Sequence, residues 1–267
     1  MTAKVVLITG ASSGIGLATA ERLQASGFIV YGTSRKTYTA SPYKFHLIKL
    51  DVNDDDSVAD AVKTVIDLEG RIDVLINNAG FAIAPAGAEE SSIQQAQAIF
   101  NTNFFGAVRM TRAVIPFMRQ QQSGLILNIS SILGVLPMPF GALYTASKHA
   151  LEGYSTSLDY ELKPQGIRVS LIAPAYTRTA LGLNLVEADN QISIYDSIRK
   201  KLYQQMIKSI HASDDPSVVT EAILSVIQSQ QIRPRYDIGN TAKRLNQIRR
   251  FLPASLLSRL IQHSLKI

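Results

Sequence analysis

The sequence contains no cysteine, and this absence removes several kinds of chemistry. Without thiols the chain can form no disulfide and offers no thiolate as a nucleophile or metal ligand. The four histidines, His46, His149, His211 and His263, lie far apart without ligand-like spacing, and no carboxylate cluster joins them. We therefore expect no metal site.

Long hydrophobic segments are missing as well. The N-terminus, MTAKVVLITG, leads into a short apolar run that lacks the hydrophobic region and cleavage site of a signal peptide. No apolar run approaches the ~20 residues that a membrane-spanning helix needs. These features predict a soluble, cytoplasmic protein.

Acidic residues are scarce in the last part of the chain. The net charge is +6, and from Arg233 onward eight Lys and Arg residues face a single acid, Asp237. The rest of the chain is close to neutral, which argues against a nucleic-acid-binding face over the whole protein.

Short apolar, β-branched runs alternate with amphipathic stretches along the chain. The predicted strands are residues 4–9, 28–34, 44–52, 73–80, 124–131 and 167–175, with a last short strand within 233–239. Nearly continuous apolar strands separated by helical patterns are typical of a parallel sheet covered on both faces. The pattern predicts an α/β fold of the Rossmann type: a doubly wound parallel sheet of about seven strands in a three-layer α/β/α arrangement. With 46% apolar residues, no repeat and no linker, residues 1–267 are expected to form one domain.

A glycine motif, Thr9-Gly10-x3-Gly14-x-Gly16, stands between the first predicted strand and the first helix. Gly10 permits a tight turn, Gly14 lets the backbone approach a pyrophosphate, and Gly16 allows close packing of helix on strand. The helix N-terminus attracts phosphate. The motif predicts a dinucleotide site, although glycines in a simple tight turn would give the same pattern.

The order of motifs resembles the short-chain dehydrogenase/reductase family over about residues 4–180. The matching positions are the glycine motif, Asp51, 77–80, 101–106, Ser131, Tyr144 and Lys148. The likeness is to the retinol and 17β-hydroxysteroid dehydrogenase-like members. It implies an enzyme that transfers hydride between a nicotinamide cofactor and a carbonyl or secondary alcohol, and it implies a homodimer or homotetramer.

The resemblance also implies which residues contact the cofactor. They are Gly10, Ser12, Ser13, Gly14, Ile15, Gly16, Ser34, Arg35, Asp51, Val52, Asn78, Gly80, Tyr144, Lys148, Pro174 and Thr179. Ser34 stands where NAD-binding members place an acid, and Arg35 and Lys36 follow it. A hydroxyl and two cations suit the 2′-phosphate of NADP(H), so NADP(H) is preferred and NAD(H) is possible. Two solvated loop charges would also explain the cations.

Tyr144 and Lys148 are four residues apart, so they share one helix face. The pKa of an ordinary tyrosine is ~10, and we expect the lysine charge, together with the positive charge of the oxidised nicotinamide, to lower the pKa of Tyr144 so that it can serve as general acid and base. By resemblance, Ser131 binds the substrate oxygen, with Ser130 as the weaker candidate, and Asn103 kinks a helix and holds a water in a proton relay. A packing aromatic, a strand-end cap and a surface amide are the structural alternatives for Tyr144, Ser131 and Asn103.

The substrate segment is predicted at residues 176–212, which together with 132–143 is largely apolar. This composition favours a lipophilic ketone, aldehyde or secondary alcohol, although ordinary core packing would look similar. The main hypothesis is therefore an NADP(H)-dependent carbonyl reductase. The alternatives are an NAD(H)-dependent dehydrogenase working oxidatively, a cofactor-sensing regulator on the same fold, and a lipid-surface or scaffolding protein acting through its tail.

Residues 240–267 form an amphipathic, basic tail. Two stripes of apolar residues are predicted in it: Leu245, Ile248 and Leu252, then Leu256, Leu257, Leu260, Ile261 and Leu265. The tail could rest on an anionic membrane, or its helices could pack over the substrate entrance or a subunit interface. The sequence alone favours packed helices.

Overall fold

Seven parallel strands form the central sheet of the protein. The computed structural model describes residues 3–36, 43–178 and 185–265, without the side chains of residues 263–265. The strands are β1 (Val5–Ile8), β2 (Ile29–Ser34), β3 (His46–Lys49), β4 (Val74–Asn77), β5 (Gly124–Ile129), β6 (Ile167–Pro174) and β7 (Arg235–Ile238). They lie in the order β3-β2-β1-β4-β5-β6-β7, and every neighbouring pair is parallel. The predicted doubly wound sheet is confirmed.

The helices that connect the strands begin and end at recognisable residues. They are α1 (Gly14–Ala25), α2 (Asp55–Glu69), α3 (Ile93–Phe100), α4 (Gly106–Gln121), α5 (Ala142–Leu162), α6 (Asp196–His211), α7 (Pro216–Gln228), α8 (Gly239–Phe251) and α9 (Ala254–Leu265). Asp54 caps α2 by accepting hydrogen bonds from the backbone N–H groups of Asp56 and Ser57, and Asp215 caps α7 ahead of Pro216.

Two apolar clusters cover the two faces of the sheet. On one face, α2, α4 and α5 contribute buried residues such as Val62, Met110 and Leu158. On the other face, α1 and α7 contribute buried residues such as Leu23 and Ile223. Because β1, β2, β4, β5 and β6 are buried on both sides, their apolar character is nearly continuous, whereas the edge strands β3 and β7 are less buried. The three-layer arrangement is confirmed.

One helix contains a local irregularity. Helices α3 and α4 are joined without a break by a π-helical turn at Asn101–Phe105. Such a turn holds about one residue more than a turn of α-helix and is often found at functional sites.

The last two helices pack near the carboxyl end of β5. Leu245 of α8 and Leu257 of α9 pack against a small buried cluster of Ile132, Leu136 and Ala242. The tail is therefore attached directly to the segment that follows Ser131. In the part of the chain that the structure describes, no helix is both long enough and apolar enough to cross a membrane.

The strand order reverses between β1 and β4, because β2 and β3 lie to one side and β5, β6 and β7 to the other. Ligands of doubly wound sheets bind in the crevice outside the carboxyl ends of the strands at this switch point. The glycine motif follows β1, and Asn78 and Ser131 lie just beyond the ends of β4 and β5. The fold thus brings the predicted site residues to one edge of the sheet.

Candidate active site

The turn between β1 and α1 needs its glycines for physical reasons. Gly10 and Gly14 have φ angles of +67° and +59°, in the left-handed region that favours glycine. A Cβ on Gly16 would lie 2.4 Å from the carbonyl oxygen of Gly10. Helix α1 can therefore begin directly over the turn, where its free N–H groups present partial positive charge.

Thr9 and Asn78 hold this turn against the end of β4. The Thr9 hydroxyl accepts hydrogen bonds of 2.9 Å from the backbone N–H groups of Asn78 and Ala79. The Asn78 side-chain amide donates to the carbonyl oxygens of Thr9 and Gly10, at 2.9 and 3.1 Å. Asn78 therefore braces the glycine turn, in addition to lying beside the predicted cofactor site.

The end of β2 presents a hydroxyl followed by two cations. The Ser34 side chain is 6% exposed, and its hydroxyl accepts a 3.1 Å hydrogen bond from the backbone N–H of Lys36. Arg35 and Lys36 are exposed beside it. Asp51 follows β3, where its carboxylate accepts a 2.9 Å hydrogen bond from the backbone N–H of Asn53.

The π-helical turn points Asn103 into the protein, where it is 2% exposed. Its side-chain oxygen accepts a hydrogen bond from the Phe81 N–H, and its side-chain nitrogen donates to the Phe81 carbonyl, both at 2.9 Å. The same nitrogen donates to the Ser147 hydroxyl at 3.2 Å, and that hydroxyl donates to the Tyr144 carbonyl at 2.8 Å. A Cβ on Gly80 would come within 2.9 Å of the Asn103 oxygen. Asn103 therefore links β4 to α5.

Tyr144, Ser131 and Lys148 come together beyond the end of β5. The Ser131 hydroxyl lies close enough to the Tyr144 hydroxyl to lower the pKa of Tyr144. The Lys148 ammonium donates a 2.8 Å hydrogen bond to the Ile129 carbonyl and lies 5.8 Å from the centre of the Tyr144 ring. Ser131 also accepts a 3.1 Å hydrogen bond from the Leu133 N–H, so it caps the short helical turn Ile132–Gly134 as well.

The pKa of Tyr144 differs in direction from the sequence-based expectation. Burial raises the pKa of Tyr144 to about 12, although the hydrogen bond from Ser131 opposes this shift. Burial also lowers the pKa of Lys148 to about 8, and the charge of Glu152 partly opposes that shift. Burial is the largest cause of this rise, whereas the sequence-based expectation was a lowering by Lys148 together with the charge of oxidised nicotinamide. Tyr144 therefore keeps its proton near neutral pH.

A small cavity lies between Asn103 and Lys148. Its volume is about 10 Å³, and Thr9, Asn77 and Ile129 contribute to its wall. That is roughly the space that one buried water requires, and the wall offers polar groups to bind it.

A separate cleft opens beside the Tyr144 ring. Its lining is mostly small and apolar: Ile83, Ala84, Ala86, Gly87, Ala88, Ser91, Phe140, Gly141, Ala142, Leu143 and Tyr144. The ring of Tyr195 packs edge-on against the Phe140 ring of the cleft wall, with 5.9 Å between the two ring centres. A Cβ on Gly87 would lie 2.8 Å from the Tyr195 ring.

The first residue that sequence reasoning missed is Glu90, which is 0% exposed. One carboxylate oxygen accepts from the backbone N–H of Ile192 at 2.8 Å and forms an ion pair with Arg199. The other oxygen accepts from the Gly87 N–H at 2.6 Å. Glu90 thus attaches the middle of the predicted substrate segment, at Ile192 and Arg199, to the wall of the cleft at Gly87.

A second missed group surrounds Glu152, one helical turn beyond Lys148. The Glu152 carboxylate accepts a 2.6 Å hydrogen bond from the Ser130 hydroxyl and pairs with Arg235 at 3.1 Å. Arg235 also pairs with Asp237, and Asp237 accepts a 2.7 Å hydrogen bond from Asn246 of α8. This network uses the Ser130 hydroxyl for Glu152 and leaves Ser131 facing Tyr144.

Another missed feature is a buried amide chain behind the site. The Asn77 amide nitrogen donates to the Asn128 oxygen at 2.8 Å, and Asn128 donates to the Ser155 hydroxyl at 2.7 Å. Asn128 carried a signal, because an amide inside an apolar strand must find a buried partner. Of the remaining predicted residues, Pro174 ends β6, whereas Thr179, Leu181 and Leu183 lie outside the described residues.

Comparison with known proteins decides the family. A model described as short chain dehydrogenase matches residues 4–190. The chain belongs to the short-chain dehydrogenase family. It is therefore an oxidoreductase with the nucleotide-binding fold of that family, and the resemblance inferred from the motif order is confirmed.

Two relatives and one solved structure illustrate the similarity. A 3-ketodihydrosphingosine reductase of Bacteroides thetaiotaomicron is 44% identical over 76% of this chain and 76% of its own length. Estradiol 17-beta-dehydrogenase 1 of Rattus norvegicus is 35% identical over 95% of this chain and 76% of its own length. The crystal structure of a short-chain dehydrogenase from Streptomyces avermitilis superposes with a TM-score of 0.84 at 31% identity, covering 99% of this chain and 98% of that chain.

Proposed function

We propose that residues 1–267 act as a single-domain, NADP(H)-dependent carbonyl reductase for a small lipophilic substrate. The observation that carries this proposal is the meeting of Ser131, Tyr144 and Lys148 beside an apolar cleft at the switch point of the sheet. An intact set of this kind favours an enzyme over a cofactor-sensing regulator.

The described residues fit a dinucleotide. The glycine turn lies at the N-terminus of α1, where the N-cap residue Ser13 makes no side-chain capping hydrogen bond, so free N–H groups can bind phosphate. In the proposal, residues 12–16 hold the pyrophosphate, and Asp51 and Val52 hold the adenine. Asn78 and Gly80 line the adenosine-ribose side. Lys148 and Tyr144 hold the nicotinamide ribose, and Pro174 and Thr179 hold the carboxamide end.

The site's own residues then supply the proton chemistry. A nicotinamide held by these residues would supply or accept the hydride at the substrate carbon. In the reducing direction, the Ser131 hydroxyl donates a hydrogen bond to the carbonyl oxygen and the Tyr144 hydroxyl transfers its proton to that oxygen. The Lys148 charge stabilises the resulting tyrosinate. A water in the cavity beside Asn103 would carry the replacement proton towards Lys148. A pKa of about 12 keeps the Tyr144 hydroxyl protonated before the transfer.

The test of the mechanism is Tyr144→Phe, which removes only the hydroxyl. We expect NADPH binding to be retained and turnover to fall by about 10²–10⁴-fold, since general acid catalysis contributes this much. Tyr160→Phe is the matched control, because Tyr160 lies on the same helix α5 and is 71% exposed. Full turnover in Tyr144→Phe would refute the proposal. A suitable substrate comes from an NADPH-consumption screen over lipophilic ketones and aldehydes.

The preference for NADP(H) rests on Ser34, Arg35 and Lys36 at the end of β2. Dissociation constants for NADPH and NADH should differ in favour of NADPH, because a guanidinium and a hydroxyl can bind the 2′-phosphate. Arg35→Ala should weaken NADPH binding by about ten-fold and leave NADH binding unchanged, since the lost contact is charge-assisted. Tighter binding of NADH to the unaltered protein would overturn the assignment.

The lipophilic substrate is supported by the apolar lining around Ile83, Phe140 and Leu143. The names of the two relatives, a ketodihydrosphingosine reductase and an estradiol dehydrogenase, also refer to lipophilic ketones or alcohols. In a series of ketones that share the same carbonyl group and differ only in alkyl chain length, kcat/KM should rise as the chain becomes longer.

A further inference from the structure

Helices α8 and α9 expose large apolar side chains, although the sequence alone favours helices whose apolar residues are packed against the protein. Ile248 is 43% exposed and Phe251 is 78% exposed, and they share one face of α8. Leu256 and Leu260, at 44% and 52% exposed, share one face of α9. By contrast, Leu245 and Leu257 pack against the cluster around Ile132. The two helices are therefore attached by one side and carry four large apolar side chains on their exposed surface.

The same two helices also carry exposed cations, and the guanidinium of Arg250 lies 5.7 Å from the centre of the Phe251 ring. Arg244, Arg249, Arg250 and Arg259 are exposed on these helices, as is Lys243. Residues 238–267 contain no Asp or Glu. A surface that combines exposed apolar side chains with cations and without acids matches the interface of an anionic membrane, where acyl chains meet negatively charged headgroups.

A second copy of the chain fits this surface less well. In a two-fold contact, the same patch would face itself, so arginines would meet arginines with no acid on either patch to pair with them. Like charges brought together across an interface oppose association. Nucleic acid would satisfy the cations but would leave Phe251 and Ile248 without an apolar partner.

We propose that the exposed face of α8 and α9, defined by Ile248, Phe251, Leu256 and Leu260 with the arginines beside them, docks on the surface of an anionic membrane. The same helices pack on residues 132–136, directly after Ser131, so docking would keep the apolar cleft close to the phase into which lipophilic molecules partition. The choice of a lipophilic substrate rests on the proposed function, whereas the docking itself does not.

The test is sedimentation of the purified full-length protein with lipid vesicles. We expect binding to vesicles of phosphatidylcholine containing about 30% phosphatidylglycerol, weak binding to phosphatidylcholine alone, and partial release at high salt. Reversing two charges, Arg249→Glu with Arg250→Glu, should weaken binding by about 25-fold or more, since each basic residue contributes about a five-fold gain near an anionic surface. The matched control, Lys200→Glu with Lys208→Glu, makes the same change in net charge on α6 and should bind like the unaltered protein.

Phe251→Ser tests the apolar part of the surface. Binding to the anionic vesicles should weaken by about ten-fold or more, since burial of one aromatic side chain is worth at least that factor. Leu68→Ser is the matched control, because Leu68 is 66% exposed on α2, away from the tail. The variants should keep the NADPH affinity of the unaltered protein, which also reports that they fold.

Four results would overturn the proposal. The first is failure of the unaltered protein to bind anionic vesicles, and the second is unchanged binding by the charge-reversed variant. The third is dissociation of an oligomer by Phe251→Ser without an effect on vesicle binding, which would assign the face to a second copy. Tight binding of duplex DNA that displaces the vesicles would also contradict it. Vesicle binding needs no turnover, so its outcome is independent of whether the reductase activity is found.

Discussion

Two buried glutamates connect the last third of the chain to the nucleotide-binding sheet, and they do so in different ways. Glu90 is 0% exposed and binds mainly backbone, through the N–H groups of Gly87 and Ile192, together with Arg199. Glu152 keeps a side chain that is 12% exposed and binds only side chains in its network, Ser130 and Arg235. Glu90 therefore positions the backbone around Ile192, and Glu152 positions the Ser130 and Arg235 side chains near Lys148.

The difference has a functional meaning within the proposed mechanism. Glu90 holds the segment that leads to Tyr195, whose ring packs against Phe140 in the cleft wall. Loss of the Glu90 carboxylate should therefore weaken substrate binding. Glu152 lies next to Lys148 on α5 and raises the pKa of that lysine, so its loss should affect the proton chemistry. We therefore expect Glu90 to determine the shape of the cleft and Glu152 to influence the protonation of Lys148.

The largest effect is expected for Glu90→Gln. Both carboxylate oxygens of Glu90 accept hydrogen bonds, whereas a glutamine has only one acceptor oxygen and would leave Arg199 with Asp196 as its remaining ion-pair partner. Breaking a buried ion pair costs about 3–5 kcal/mol. Because the attachment is local, residues 185–199 should be cleaved faster by protease at urea concentrations too low to unfold the sheet. In the kinetics, KM should rise by a larger factor than kcat falls.

Glu89→Gln provides the control for that comparison. Glu89 is exposed next to Glu90 and has a 2.7 Å hydrogen bond from the Tyr195 hydroxyl. The change should cost about 1 kcal/mol or less. Equal proteolysis of the two variants would show that the buried position of Glu90 is not what anchors the segment.

Glu152→Gln should change the pH dependence more than the stability. Glu152 raises the pKa of Lys148, which burial lowers to about 8, so removing the carboxylate should lower this pKa further. Lys148 would then lose its proton at lower pH, and kcat/KM at pH 8 should fall by about two- to five-fold. The measurement is the pH profile of kcat/KM, whose alkaline limb should move to lower pH. Glu161→Gln, an exposed glutamate on the same helix, should leave the profile in place.

The smallest effect is expected for Asn246→Ala, at the far end of the Glu152 network. The change removes the 2.7 Å hydrogen bond from Asn246 to Asp237 and should lower the free energy of unfolding by about 1 kcal/mol. The urea midpoint measures this loss, with Asn240→Ala, an exposed position on α8, as the control. An unchanged midpoint would mean that α8 is held by the packing of Leu245 alone.

Much of the site could be predicted from the sequence, because its motifs are local. The turn around Gly10 depends on spacing within one βα unit, and Tyr144 and Lys148 need only one helix face. Glu90 and Glu152 could not be found in this way, since their arginine partners lie 109 and 83 residues away. Nothing near them in the sequence indicates which charges will meet. The direction of the Tyr144 pKa shift also depends on burial, which spacing does not report.

The π-helical turn at Asn101–Phe105 has a consequence for helical phase. Ile99 and Met110 are eleven residues apart, so in an uninterrupted α-helix they would point in nearly the same direction. With one extra residue between them, α3 packs against α5 while α4 packs against α2, and both side chains are 0% exposed. Deleting a single residue from this turn would rotate one half of the helix by about 100° against the other. The turn therefore determines the relative directions in which α3 and α4 pack, as well as the orientation of Asn103.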